Sequence, residues 1–128
     1  MENQQILESF NNKKCIVTGG TGMIGRQLVK ILCDAGANAD SKPQHLVQFG
    51  LMASAYIEHL ENRPNPRVAL LNIGLEEGKG NELTIQAYPM MKEHVNNFIG
   101  NIESRYLMDG KADVVVCDGF SGNIALKL

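Results

Sequence analysis

Apolar residues along this chain come in two kinds of run. Short, nearly unbroken ones lie at Lys14–Thr18 (KCIVT), Val68–Ile73 (VALLNI), Asn97–Ile102 (NFIGNI) and Asp113–Cys117 (DVVVC). Rich in β-branched residues and without clean alternation, they predict strands buried on both faces, as in a parallel sheet. Elsewhere the spacing is helical. Met23, Ile24, Leu28, Ile31 and Leu32 share one helical face, and Gly36 ends that helix at its left-handed C′ position. A second helix carries Leu46, Val47, Phe49, Ala53, Tyr56, Ile57 and Leu60. Ser41-Lys42-Pro43-Gln44 opens it as a capping box with proline in the first turn, and Arg63-Pro64-Asn65-Pro66 closes it. A third helix covers Glu82–His94 with Asn81 as N-cap. Pro89 inside it, at a usual cost of about 3 kcal/mol, predicts a late start or a kink. Glu103–Met108 reads as a single turn or short helix, and Ile124–Leu128 as the first turns of another. Met1–Asn12 reads as a cap or arm.

This order predicts one three-layer, Rossmann-like α/β domain over residues 1–128. It should have about four parallel strands, beginning at Lys14, Arg67, Asn97 and Asp113. In such sheets ligands bind beyond the carboxyl ends of the strands, so the loops at Gly19, Gly74 and Asp118 are expected to open on one edge. The stretch from Gly74 to Asn81 stands out, because it holds two carboxylates and then Gly78-Lys79-Gly80. Two helices in succession before Arg67 are a departure, since a doubly wound fold would put a strand between them.

Composition narrows the function. A chain of 128 residues is large enough for a real core and short for an α/β enzyme. A net charge of −2 gives no footprint for nucleic acid. No apolar run is long enough to span a membrane, and MENQQILESF lacks the basic and apolar regions of a signal peptide. Cys15, Cys33 and Cys117 are scattered and lack metal-ligand spacing, which fits reduced thiols and a cytoplasmic location. His45, His59 and His94 are scattered on helices and read as surface residues, so no metal site is expected.

Two segments carry family resemblances. Thr18–Gly25, TGGTGMIG, follows a strand and opens a helix. It resembles the T-G-x-x-G-x-x-G loop of extended short-chain dehydrogenases, the epimerases and dehydratases, over about Lys13–Asn38. That resemblance implies NAD or NADP on Thr18, Gly19, Gly22 and Gly25, where glycines let the backbone approach a pyrophosphate. Binding is expected to be weak, because no second strand with a ribose-holding acid follows; Asp40 has the spacing but not the strand. Tyr88 and Lys92 match the family's Y-x-x-x-K pair, but too near the glycine loop and beside Pro89, which marks a coincidence.

From about Gly36 the chain resembles another family. GANADSKPQHLVQF, NPRVALLNIGLEEGKGNELT, NFIGNIE and GKADVVVCDGFSGNIALK are similar to the middle of bacterial phosphate acyltransferases of phospholipid synthesis. That resemblance implies fatty acyl transfer from acyl carrier protein to inorganic phosphate, with a homodimer as a further possibility. The two resemblances meet at Ala35-Gly36-Ala37-Asn38 and imply a hybrid.

Acyl transfer to phosphate needs a site that holds a dianion and stabilises an oxyanion, with no protein nucleophile. On the acyltransferase resemblance Lys79 would contact phosphate, Asp118 would take or orient a proton, and Asn123 would donate a hydrogen bond. Asn38, Asn81 and the backbone N–H groups of Gly119 and Gly122 would complete phosphate binding. The rival role for Asp118 and Asn123 is helix capping, and for Lys79 a solvated loop charge. The sequence therefore reads as a truncated phosphate acyltransferase-like hybrid, inactive as an isolated chain. Its alternatives are an NAD(P)- or phosphate-binding Rossmann-like module and an engineered hybrid with no ligand.

Overall fold

The computed structural model describes residues 16–17, 31–32, 41–60 and 62–126. In order the elements are β1 (Ile16–Val17), β2 (Ile31–Leu32), α1 (Pro43–Leu60), β3 (Val68–Asn72) and α2 (Glu82–His94). Then come β4 (Phe98–Glu103), a 3₁₀ turn (Ser104–Tyr106), β5 (Val114–Val116) and α3 (Gly119–Leu126). Among the described residues the strands form one sheet in the order β2-β1-β5-β3-β4. β3 lies at the centre of the parallel part, between β4 and β5. The layered α/β architecture is the one the alternating runs predict.

Two expectations about the first segment do not hold. β1 pairs antiparallel with β5, so three strands rather than four are parallel. Ile31 and Leu32, placed on a helical face by spacing, form β2 beside β1. Both departures have the same cause. A short apolar run fits a strand or a helix equally well, and it carries no information on strand direction. The carboxyl end of β1 therefore points to the edge opposite Asp118. Of the three loops expected on one edge, those at Gly74 and Asp118 share it, and β1 leads away from it. The remainder of the Met23–Gly36 helix lies outside the described residues.

α1 starts one residue later than its sequence box suggests. Lys42 precedes the helix, Pro43 takes the first position, and His45 Nδ1 accepts from the Lys42 amide at 3.0 Å. This is the reciprocal bond of a capping box, supplied by histidine instead of Gln44. α2 runs through Pro89. The proline removes a bond to the Ile85 carbonyl, and both residues face solvent, so water can satisfy that carbonyl.

Alternation along β3 and β5 divides the core between the two faces of the sheet. Val68, Leu70, Val114 and Val116 pack with Leu46, Phe49, Ile57 and Met91 of α1 and α2. Gly50 faces α2 and β5: a Cβ there would meet Met91, Val95 and Val116 at 3.5–3.6 Å, ordinary contact distance. Ala69 and Val115 point the other way, to a smaller cluster with Ile102 and Ala112. Burial on both faces is what the unbroken apolar runs require.

At the amino ends of β3 and β5 sits one buried charge. Asp113 receives the Arg67 amide at 2.8 Å and two guanidinium bonds from Arg67 at 3.0 Å each, and Arg63 also pairs with it. Burial pushes its carboxyl toward the neutral form; the hydrogen bonds from Arg67 and Arg63 outweigh burial and hold it below the ordinary carboxylate range. A carboxyl lowered in the folded state stabilises the fold above its unfolded value of about 3.9. That stabilisation is lost as pH falls through the folded value. Urea midpoints measured from pH 7 to pH 2 should therefore fall on the acid side below about pH 4. An unchanged midpoint across that window would show that the cluster contributes nothing.

Candidate functional site

The carboxyl ends of β3 and β5 and the amino ends of α2 and α3 enclose a cleft of about 590 Å³. β3 supplies Leu71, Asn72 and the following Ile73 to its wall. The start of α2 supplies Gly80, Asn81 and Thr84. Cys117 and Asp118 follow β5, Ser121 and Ile124 lie on α3, and Ser104 follows β4. This is where a parallel sheet is expected to place a ligand.

The loop between β3 and α2 is held from below by two strand asparagines. Asn72 accepts from the Ile73 amide at 2.8 Å and donates to the Lys79 carbonyl at 2.9 Å, so one side chain ties both ends of the loop. Asn101, buried in β4, donates to the Glu76 carbonyl at 2.9 Å, while its own carbonyl oxygen is buried without a partner. Sequence reasoning missed both. The available signal was a polar residue inside each apolar run, since a buried amide needs a partner.

Gly80 closes the loop with φ +105°, a conformation that side chains rarely adopt, and a Cβ there would lie 2.0 Å from Thr84 Oγ1. Asn81 then caps α2 as expected, its Oδ1 accepting from the Thr84 amide at 3.0 Å. Thr84 Oγ1 donates back to the Asn81 carbonyl at 3.0 Å. The Ile85 amide bonds to the Asn81 carbonyl, and the Glu82 and Leu83 amides, the first two of the helix, take no bond among the described residues.

The sequence-predicted residues are only partly brought together. Asn81 and Asp118 line the cleft. Asp118 is half-buried and accepts from the Ser121 amide at 2.6 Å, so the capping role is realised. Lys79 is exposed beside the cleft, with its stem packed over Gly74. The Gly122 amide donates to the Asp118 carbonyl at 2.9 Å, a helix bond that removes it as an anion donor. The Gly119 amide takes no bond among the described residues, as befits the first position of a helix. Asn123 lies on α3 one residue after Gly122. Thr18, Gly19, Gly22, Gly25 and Asn38 lie outside the described residues. Tyr88 packs edge to face on Phe98 at 5.2 Å, and Lys92 is exposed, so the Y-x-x-x-K spacing serves the core and not a reaction.

Fold and cleft define a layered α/β domain with an open cleft at the carboxyl edge of its parallel strands. Residues 14–128 match the model of a family described as fatty acid synthesis protein, and the chain belongs to that family. It is 57% identical over 97 residues to the phosphate acyltransferases of Bacillus thuringiensis (strain Al Hakam), Bacillus mycoides (strain KBAB4) and Bacillus cereus (strain AH187). That alignment covers 76% of this chain and 29% of each relative, so the chain spans under a third of the length of the curated relatives it matches. The family match takes in residues 18–25, and nothing in the comparisons supports a dehydrogenase or a join at 35–38. Among the described residues no helix is long and apolar enough to cross a membrane.

Proposed function

We propose that this chain carries one corner of a phosphate acyltransferase site, for fatty acyl transfer from acyl carrier protein to inorganic phosphate in phospholipid synthesis. The observation that carries this reading is the meeting of the 73–81 loop with Asp118 and the start of α3 at one cleft, in a chain 57% identical over 97 residues to phosphate acyltransferases. A phosphate oxygen attacks the thioester carbonyl carbon. A C–O bond forms, the C–S bond breaks, and the electron pair leaves on sulfur, which takes a proton to become the free thiol. The product is an acyl phosphate.

Lys79 neutralises phosphate at the loop end, beside the first-turn amides of Glu82 and Leu83 at the positive end of α2. Gly119 offers an amide from α3. Asp118 orients a proton, and Asn123 donates to the developing oxyanion. The cytoplasm is the compartment that fits a soluble carrier-protein donor.

The 128-residue chain alone is expected to turn over no substrate. Ile73 is 81% and Phe120 74% exposed beside the cleft, so the reacting atoms stay in contact with water. Electrostatic stabilisation falls steeply as water enters a site. An amide-resolved NMR titration with inorganic phosphate should move the Lys79, Gly80 and Glu82 signals, and Lys79→Ala should abolish the response. No response in the unsubstituted chain would remove the phosphate-site reading. Release of carrier-protein thiol, followed with and without phosphate, should show no phosphate-dependent rate. A rate abolished by Lys79→Ala would instead show that these residues hold a complete site.

A further inference from the structure

Lys79 is exposed, yet both of its backbone groups are tied to the strands beneath it. Its amide donates to the Glu76 carbonyl at 3.1 Å, closing a turn over Glu77 and Gly78. The same carbonyl accepts from Asn101 Nδ2 at 2.9 Å, so both of its lone pairs are used. The Lys79 carbonyl accepts from Asn72 Nδ2 at 2.9 Å. Asn72 ends β3 and Asn101 lies on the neighbouring β4. Two asparagines on adjacent strands thus fix the N–H and the C=O of one lysine.

The stem of that lysine is held from a third side. A Cβ built on Gly74 would lie 3.0 Å from Lys79 Cγ and 3.3 Å from Lys79 Cδ, so the side chain runs across a bare α-carbon. Gly74 has no left-handed backbone, so its missing side chain serves this approach and not a turn. A lysine stem is rich in rotamers, and ordering it in advance removes that cost from the binding step.

Asn101 does this at the expense of the fold. Its Oδ1 is buried with no partner among the described residues, on a strand position opposite the fully buried Leu70. A buried acceptor that lacks a donor has lost its hydration without compensation. An apolar side chain of similar size would remove that orphan, and the exposed Glu76 would still bond the Lys79 amide. A residue that breaks a local rule of burial with no gain in stability marks a functional constraint.

We infer that Asn101 and Gly74 are positioning residues for phosphate, acting through Lys79: with Asn72 they hold its backbone and stem in one arrangement before the anion arrives. Neither residue lines the cleft. The inference rests on the phosphate-site reading and deepens it, because it names the groups beneath the loop that make an exposed lysine into a fixed one.

The test pairs thermal melts with amide-resolved NMR titrations of inorganic phosphate. Asn101→Leu should weaken phosphate binding about tenfold, the scale of one net hydrogen bond, with a melting temperature unchanged or raised. Exchange of the Lys79 amide with solvent, measured without phosphate, should quicken in this variant. Gly74→Ala is the independent arm, because its Cβ meets only the side chains of Lys79 and Glu76. It should weaken phosphate about fivefold and leave the melting temperature in place. Gly78→Ala, with nothing within 4 Å of the added carbon, should alter neither. Phosphate affinity unchanged in both Asn101→Leu and Gly74→Ala would overturn the inference and leave the phosphate reading standing. Affinity lost in both variants only in step with melting temperature would reduce the two residues to framework, and overturn it as well. No response in the unsubstituted chain would remove the phosphate reading and this inference with it.

Discussion

Asp113→Ala should destabilise the fold by about 3 kcal/mol, on the order of 10 °C in melting temperature. Asp113 keeps 3% of its side-chain surface exposed and receives three bonds from Arg67 as well as the Arg63 contact. Removing one partner of a buried pair typically costs about 3–5 kcal/mol, because the remaining charge stays uncompensated. The lower end applies here, since Arg67 is 38% exposed and its guanidinium can be rehydrated. The Arg67 amide, bonded to the lost carboxylate, adds an unpaired backbone donor. The same segment joins the two strands through the Arg67 carbonyl, which accepts from the Asp113 and Val114 amides at 2.9 Å each. Loss of the carboxylate thus loosens the start of β5 against β3, at the edge away from the cleft. Urea denaturation followed by circular dichroism would measure the loss. A change under about 0.5 kcal/mol, the range of an ordinary surface substitution, would show that the pair is not structural.

How much of this was legible in the sequence depends on how each feature is encoded. β3 and β5 were legible because three or more consecutive apolar residues fix a doubly buried strand. The Asn81 cap was legible because it stands directly before a helical run. The direction of β1 was not, because strand polarity depends on which neighbour it pairs with, and a two-residue strand records nothing of that. The α1 cap was read one residue early, because the pattern S-x-x-Q competes with a histidine that closes the same ring from the next position. In the site, the glycines and Lys79 announced a loop, and the family resemblance supplied its chemistry. The parts that hold the loop were hidden in plain view. Asn72 and Asn101 each interrupt an apolar strand, and their meaning is visible only once the strands are adjacent and the loop lies over them.

Gly80→Ala should cost about 2–4 kcal/mol, more than any other single-methyl change in the loop. Two independent penalties add. A φ of +105° strains any residue with a Cβ, whatever the space around it. The added carbon would also lie 2.0 Å from Thr84 Oγ1 and 2.5 Å from Asn72 Oδ1, well inside contact distance. Thr84 can rotate away only by giving up its bond to the Asn81 carbonyl, and Asn72 only by releasing the Ile73 amide. Relief of the clash therefore opens the cap of α2 and the tie of the loop together. Both belong to the cleft wall, so the substitution should shift the amide signals of Ile73, Asn81 and Thr84 and weaken any ligand held there. Gly78→Ala is the matched control. It lies two residues away in the same loop, has nothing within 4 Å of the added carbon, and should change stability by less than about 0.5 kcal/mol. Thermal melts of the two variants side by side decide the matter. Equal melting temperatures would mean that the corner formed by Asn72, Gly80 and Thr84 is free to adjust, and that the cleft is not held in a fixed shape from this side.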